Sequence, residues 1–201
     1  MKFYLSSYKI GNKADELKKI ENKKLAYIPN ALDFATDVKR RKQSEEKDTN
    51  SLKELGFDIE RVDLKDYFGK KEELKIKLKN FGIIWVRGGN AFILRRAMNL
   101  SEFDILIKDL IDKNNLVYAG FSAGICVLGP TLKGLDIMDD PADNPYNTEL
   151  ILDGLNLIDF VIVPHFDSDQ PESENARKYA ENLKSKGIKF KTLKDGDVII
   201  I

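Results

Sequence analysis

Ser122, His165 and the pair Gly88-Gly89 are the residues whose types and settings could do chemistry together. In "LVYAGFSAGICVLG" (116–129) an apolar run passes into Gly120-Phe121-Ser122-Ala123-Gly124. This satisfies G-x-S-x-G with a strand before it and a helix after it. A nucleophile on so tight a corner takes a strained backbone, and flanking glycines leave room for strand and helix to pack closely. The N–H groups opening the helix then face a developing oxyanion. The pentapeptide alone equally describes a glycine-softened turn with Ser122 as a helix N-cap.

A serine hydroxyl attacks only when a base removes its proton. His165, in "VPHFD", is the only histidine, so any imidazole base is this one. A third group would hold its tautomer and stabilise the imidazolium. Between Ser122 and His165 lie Asp136, Asp139, Asp140, Asp143 and Glu149, and the order Ser, acid, His matches the α/β-hydrolases. Residue type alone does not rank these carboxylates. Gly88 and Gly89, after "IIWVR", either form a tight turn or offer a second backbone N–H to an oxyanion, beside that of Ala123. Cys126 lies one helical turn beyond Ser122 and reads as core.

Composition narrows the classes. The 201 residues carry 33 Lys plus Arg and 33 Asp plus Glu, a formal net charge of zero that argues against an electrostatic grip on nucleic acid. The run Lys39-Arg40-Arg41-Lys42 is followed by Glu45, Glu46, Lys47 and Asp48 and reads as a solvated helix face. One cysteine permits no internal disulfide, which fits a reducing cytoplasm. A single histidine and a single cysteine exclude multi-histidine and cysteine-rich metal centres, so no metal or cofactor is expected. No stretch has the length and apolarity of a signal peptide or a membrane span, so no membrane partner is expected.

These residues must be positioned by the elements around them. Strands are expected at 2–7, 25–31, 57–64, 83–90, 116–120 and 160–167, and around a Lys-Asp-Gly turn near the end. Helices are expected between them: one opening near Asp15, one over 34–56 with Gly56 as C-cap, and one over 71–82. Others cover "AFILRRAMNL", "SEFDILIKDLIDKN" with Ser101 as N-cap, "SAGICVLG" and 173–187. The alternation predicts one doubly wound α/β domain over 1–201, a mostly parallel sheet flanked by helices. The apolar runs Ile83–Val86, Leu116–Ala119 and Val161–Val163 suit central strands buried on both faces. In such folds reacting groups collect at the carboxyl ends of strands, where Gly88-Gly89, Ser122 and His165 all fall. Segment 130–159, rich in Asp, Asn and Pro, is long for a loop and so is expected to be functional.

Taken together, "AYIPNA", "ELGFDIERVDL", "VRGGNAFIL", "AGFSAGICVLGPT" and "GLNLIDFVIVPHFD" make most of the chain resemble the peptidase E (peptidase S51) family of serine hydrolases. The resemblance implies a class I glutamine-amidotransferase-like fold, a flavodoxin-like three-layer sandwich with serine where amidotransferases place cysteine. It implies Ser122 as nucleophile, His165 as general base, and N–H groups of Gly88, Gly89 and Ala123 as the oxyanion hole. It points to Asp136 as the acid, with Asp139, Asp140 or Asp143 as replacements. Asn90, in the glycine box, and Arg177, nearest equivalent of the family's substrate-reading arginine, are the expected substrate-binding positions. The implied activity is a cytoplasmic exopeptidase or dipeptidase, monomeric or homodimeric, acting on small peptides that include those with N-terminal Asp. Ala176, Arg87 and Ala91 depart from the family's pattern and bear on aspartyl specificity. A cyanophycinase-like peptidase, an esterase on the same elbow and a non-catalytic member are the rival readings.

Overall fold

A computed structural model describes the chain from Met1 to Ile201, the side chain of Asn114 apart. Its strands are β1 (Phe3–Ser6), β2 (Lys24–Ile28), β3 (Asp58–Arg61), β4 (Ile83–Val86), β5 (Val117–Phe121), β6 (Val161–Val163), β7 (Phe190–Thr192) and β8 (Val198–Ile200). Six form one sheet in the order β3-β2-β4-β5-β1-β8, parallel except for β8, which runs antiparallel along β1 with Leu5 opposite Ile199.

The helices are α1 (Ala14–Lys18), α2 (Val38–Glu54), α3 (Lys71–Leu78), α4 (Ala91–Leu100), α5 (Phe103–Asn114), α6 (Ala123–Cys126) and α7 (Ser173–Ser185). The two-residue period of a strand feeds two cores. Tyr4, Leu25, Tyr27, Ile83 and Trp85 pack toward Leu17 of α1 and Leu52 of α2. Leu5, Ala26, Ile28, Ile84 and Val86 belong to the core that includes residues of α3, α4, α5, α6 and α7. Strands covered on both faces are apolar without alternation, and every residue of β4 and β5 is buried. The mostly parallel α/β architecture read from the sequence is the one observed. No helix among the described residues is long and apolar enough to cross a membrane.

Three local expectations fail for physical reasons. Val161–Val163 is buried but pairs only with β7, outside the six-stranded sheet. A continuous apolar run reports covering on both faces and not membership of the central sheet. Ser101 is not an N-cap but the C-cap of α4: its hydroxyl donates back to the Ala97 carbonyl at 2.8 Å, and Glu102, at φ 55°, precedes α5. The helix after Ser122 lasts one turn, Ala123–Cys126.

Beyond it, residues 130–159 contain only a short 3-10 turn (Leu135–Ile137) and one isolated bridge, Thr131 with Asp153. Polar anchors from α4 hold this segment. The Arg96 guanidinium is buried and donates to the carbonyls of Glu149, Asp143 and Pro141 at 3.3, 3.1 and 3.1 Å. Arg95 donates to the Asp153 carbonyl at 2.9 Å and to Asp104 at 2.8 Å. Tyr146 donates to Asp33, itself paired with Arg41 at 2.6 Å. Such fixed, charge-assisted bonds order a loop that has little secondary structure of its own.

Candidate active site

At the end of β5 the chain turns through Ser122 with φ 51° and ψ −119°, a conformation an L-residue adopts at a cost of about 1–3 kcal/mol. The corner is over-determined. The Ser122 N–H donates to the Ser7 carbonyl at 3.2 Å, and its carbonyl accepts from Ile125 and Cys126 at 3.0 and 3.1 Å. Gly124 lets α6 approach β4: a Cβ there would stand 2.2 Å from the Val86 carbonyl oxygen. The Ser122 side chain makes no capping bond, which answers the N-cap reading. Its Oγ lies 3.0 Å from His165 Nε2.

His165 follows β6, takes φ 60° and is buried. Its Nδ1 lies 2.8 Å from Asp195 Oδ1. A carboxylate on Nδ1 places the ring proton there and leaves Nε2 free to accept the Ser122 proton. Ser122, His165 and Asp195 therefore form one hydrogen-bonded line, the geometry that a nucleophile, a base and an acid require.

Asp195 corrects the expectation that the acid lies between Ser122 and His165. None of Asp136, Asp139, Asp140 and Asp143 is hydrogen-bonded to His165. Asp136 is exposed, within the 3-10 turn. Asp140 accepts the Ala142 N–H at 2.8 Å, and Asp143 the Asn90 amide at 3.3 Å. Asp139 accepts the Ala91 N–H at 2.8 Å, at the start of α4. Anchored by Arg96, the loop that carries them folds over α4 instead of reaching the imidazole. Asp195 arrives from the turn between β7 and β8. An antiparallel strand in a parallel sheet begins where its neighbours end, so the residues just before β8 reach the carboxyl edge. That topology was the available signal, once the last strand pairs with the first.

Ser7, directly after β1, is a second residue that motif reading passes over. It is fully buried, and its Oγ accepts the His165 N–H at 2.9 Å and lies 2.9 Å from Asp195 Oδ1 and 3.2 Å from the Leu193 carbonyl. One serine thus braces the elbow, the imidazole and the acid. Ser168 Oγ accepts the Asp195 N–H at 2.8 Å.

On the other side of Ser122, the N–H groups of Gly88, Gly89 and Ala123 have no hydrogen-bond acceptor among the described residues. Gly89 takes φ 147°, and a Cβ there would stand 2.3 Å from the Ala31 carbonyl oxygen, so no side chain fits. Asn90 is not among the residues lining the cavity beside Ser122. It is buried, its Oδ1 caps α4 through the N–H groups of Phe92 and Ile93 at 2.9 and 3.2 Å, and its amide donates to the Asp140 carbonyl at 2.7 Å. Arg177 pairs with Asp167 at 2.7 Å on the exposed side of α7 and is not among the residues lining the cavity. Buried Cys126 sits behind the elbow, and its thiol lies 3.7 Å from the Ile162 carbonyl.

A cavity of about 310 Å³ opens beside Ser122 and His165. Leu32, Gly88, Gly89 and Met138 supply part of its wall, with Arg87, Asp139, Glu172 and Asn175 as its polar groups. Burial pushes the Asp139 carboxyl up to about 6, opposed by the Ala91 N–H and reinforced by Asp143.

The chain is similar to known proteins. The chain is 32% identical over 119 residues to the uncharacterized peptidase Lmo0363 of Listeria monocytogenes, covering 59% of this chain and 55% of that protein. It is 28% identical over 163 residues to the peptidase E of a Nostoc species, covering 80% of this chain and 60% of that one. In both cases the match spans less than two thirds of the relative's length. Among solved structures, a Listeria monocytogenes EGD-e protein described as a candidate peptidase E superposes with a TM-score of 0.77 at 24% identity, over 99% of this chain and 93% of that one. A peptidase from an acI-B1 actinobacterium gives 0.67 at 16% identity, over 96% and 80%. The family model for peptidase family S51 matches residues 10–201, and the chain belongs to that family.

Proposed function

We propose that the protein is a serine peptidase that cleaves short peptides through Ser122, His165 and Asp195. The observation that carries this reading is the unbroken line from Ser122 Oγ to His165 Nε2 at 3.0 Å and from His165 Nδ1 to Asp195 at 2.8 Å, on a strained elbow.

In this mechanism His165 takes the Ser122 proton as Oγ adds to the peptide carbonyl carbon, giving a tetrahedral intermediate. The N–H groups of Ala123 and of Gly88 or Gly89 hold its oxyanion, and Asp195 stabilises the imidazolium. His165 then protonates the leaving amine nitrogen, the C–N bond breaks, and an ester of Ser122 remains. Water, deprotonated by His165, hydrolyses that ester and restores the hydroxyl. The cavity's volume of about 310 Å³ favours short substrates, and the placement of Arg177 outside it gives no support to recognition of an N-terminal aspartate.

Ser122→Ala is expected to lose both turnover of a short-peptide panel and covalent labelling by a fluorophosphonate, with an unchanged melting temperature. Undiminished hydrolysis in that variant refutes the assignment. In the same panel, a β-linked Asp-Arg peptide and 4-nitrophenyl esters separate peptidase from cyanophycinase-like and esterase activity.

A further inference from the structure

Charges on the cavity wall do not cancel. Arg87 is only 7% exposed, and its Nε lies 3.1 Å from Asp48. The guanidinium packs over the Phe121 ring, 5.9 Å from its centroid, and Nη2 donates to Ser44 at 3.3 Å. Nε and Nη1 are sealed from solvent, so this cation is balanced behind the wall and not offered to a ligand. Asp139 and Glu172 are different. Neither forms a salt bridge among the described residues. One Asp139 oxygen accepts the neutral Ala91 N–H at 2.8 Å; the other has no hydrogen-bond partner among the described residues. Glu172 is exposed and lines the same cavity from the start of α7.

We infer that Asp139 and Glu172 form an anionic subsite that holds a cationic group of the peptide whose carbonyl carbon Ser122 attacks. This rests on the reading of Ser122 as nucleophile. Asp139 is a half-buried carboxylate without a counter-ion, which is costly, and a bound ammonium or guanidinium recovers part of that cost. The raised Asp139 pKa reflects the same burial. Two sources share this chemistry: the free α-ammonium of the peptide's first residue and a lysine or arginine side chain. The bond to half-buried Asp139 is expected to contribute about tenfold in affinity, and that to exposed Glu172 less.

The test compares 4-nitroanilides of norleucine, lysine and aspartate, each with a free and an acetylated α-amine. Cation-bearing substrates are expected to be cleaved with at least tenfold higher kcat/KM than acetyl-norleucine, chiefly through KM, and aspartyl substrates are expected to be poor. Preference that follows the amine identifies the α-ammonium; preference that follows lysine identifies the side chain. Asp139→Asn and Glu172→Gln should each shrink the ratio between cationic and blocked substrates, which a merely structural cap of α4 would not do. Glu172, being exposed, provides a variant whose folding is not at issue. Wild-type selectivity in both variants, or equal cleavage of acetyl-norleucine and the cationic substrates, overturns the inference. Fluorophosphonate labelling of the wild type tests the nucleophile separately: a labelled enzyme without cation preference overturns the subsite alone. Calorimetry of norleucinamide and acetyl-norleucinamide with Ser122→Ala reads the subsite without turnover, and equal affinity there also overturns it.

Discussion

Asp139→Asn should make the protein more stable at alkaline pH. The carboxyl group is largely enclosed, and burial raises it from 3.8 to about 6, the Ala91 N–H opposing and Asp143 reinforcing that rise. A raised carboxyl pKa means that the folded state binds the proton more tightly than the unfolded chain. Stability is therefore highest below the unfolded value, falls as pH climbs from about 4 to about 6, and stays low above that. Roughly two pKa units at 1.36 kcal/mol each put the cost of the ionised group near 3 kcal/mol. Asparagine keeps an acceptor for the Ala91 N–H and carries no charge, so it should recover about 2–3 kcal/mol at pH 8 and almost nothing at pH 4.

Urea unfolding reads this directly. With an m-value of about 2–3 kcal/mol/M for a chain of this size, the midpoint should rise by about 1 M at pH 8 and coincide with wild type at pH 4. The titratable and charged groups facing Asp139 are Asp143 on its own loop, Cys126 on α6, Tyr179 on α7, and Arg87, His165 and Glu172 around the cavity. The thiol and the phenol are both held above their ordinary values by burial and stay neutral across this window. A variant less stable than wild type at pH 8, or equally stabilised at both pH values, would refute the argument from enclosure.

Two further outcomes follow from the bonds around His165. Asp195→Asn should keep the fold and lower kcat by about 10³–10⁴, because an amide no longer enforces the tautomer with its proton on Nδ1; steady-state kinetics on any cleaved peptide checks this. Ser7→Ala should cost about 1–3 kcal/mol in thermal unfolding, since it leaves the buried His165 N–H without its acceptor. The same variant should lower kcat with little change in KM, because Ser7 also steadies Asp195.

Much of this arrangement was legible in residue order, and the rest was hidden for definable reasons. The helix over "AFILRRAMNL" runs Ala91–Leu100, and the runs at Ile83–Val86 and Val117–Phe121 are the buried central strands. Periodicity and glycine breaks report local covering, which these elements satisfy. The elbow and the sole histidine were legible because residue type and strand-end position coincide there. Asp195 was not, since its role depends on which strand β8 joins, a long-range choice no local pattern encodes. The order Ser, acid, His belongs to the α/β-hydrolases, whereas here the carboxylate follows the histidine in the chain. Asn90 looked like a ligand because a polar residue beside two glycines resembles one; its bonds to Phe92, Ile93 and Asp140 leave it none to give. Of segment 130–159, Met138 and Asp139 line the cavity beside Ser122.

The sheet order explains why three distant residues meet. β1 stands between β5 and β8, so Ser7 directly after β1 is adjacent to the elbow after β5 on one side and to the turn before β8 on the other. β6 lies outside this sheet, yet β7 pairs with it and leads into the same turn, so His165 and Asp195 leave neighbouring strand ends together. Register errors of one residue in β8 would reverse which side chains face the core and draw Asp195 out of line. Ser7 resists that slip because its hydroxyl is tied at once to the His165 backbone and to the Asp195 carboxylate. The strain at Ser122 is sustained in the same way, its N–H held by the Ser7 carbonyl and its own carbonyl by α6. A strained corner can persist only where independent bonds fix both of its sides, and the first residue after β1 supplies one of them to each partner of the line.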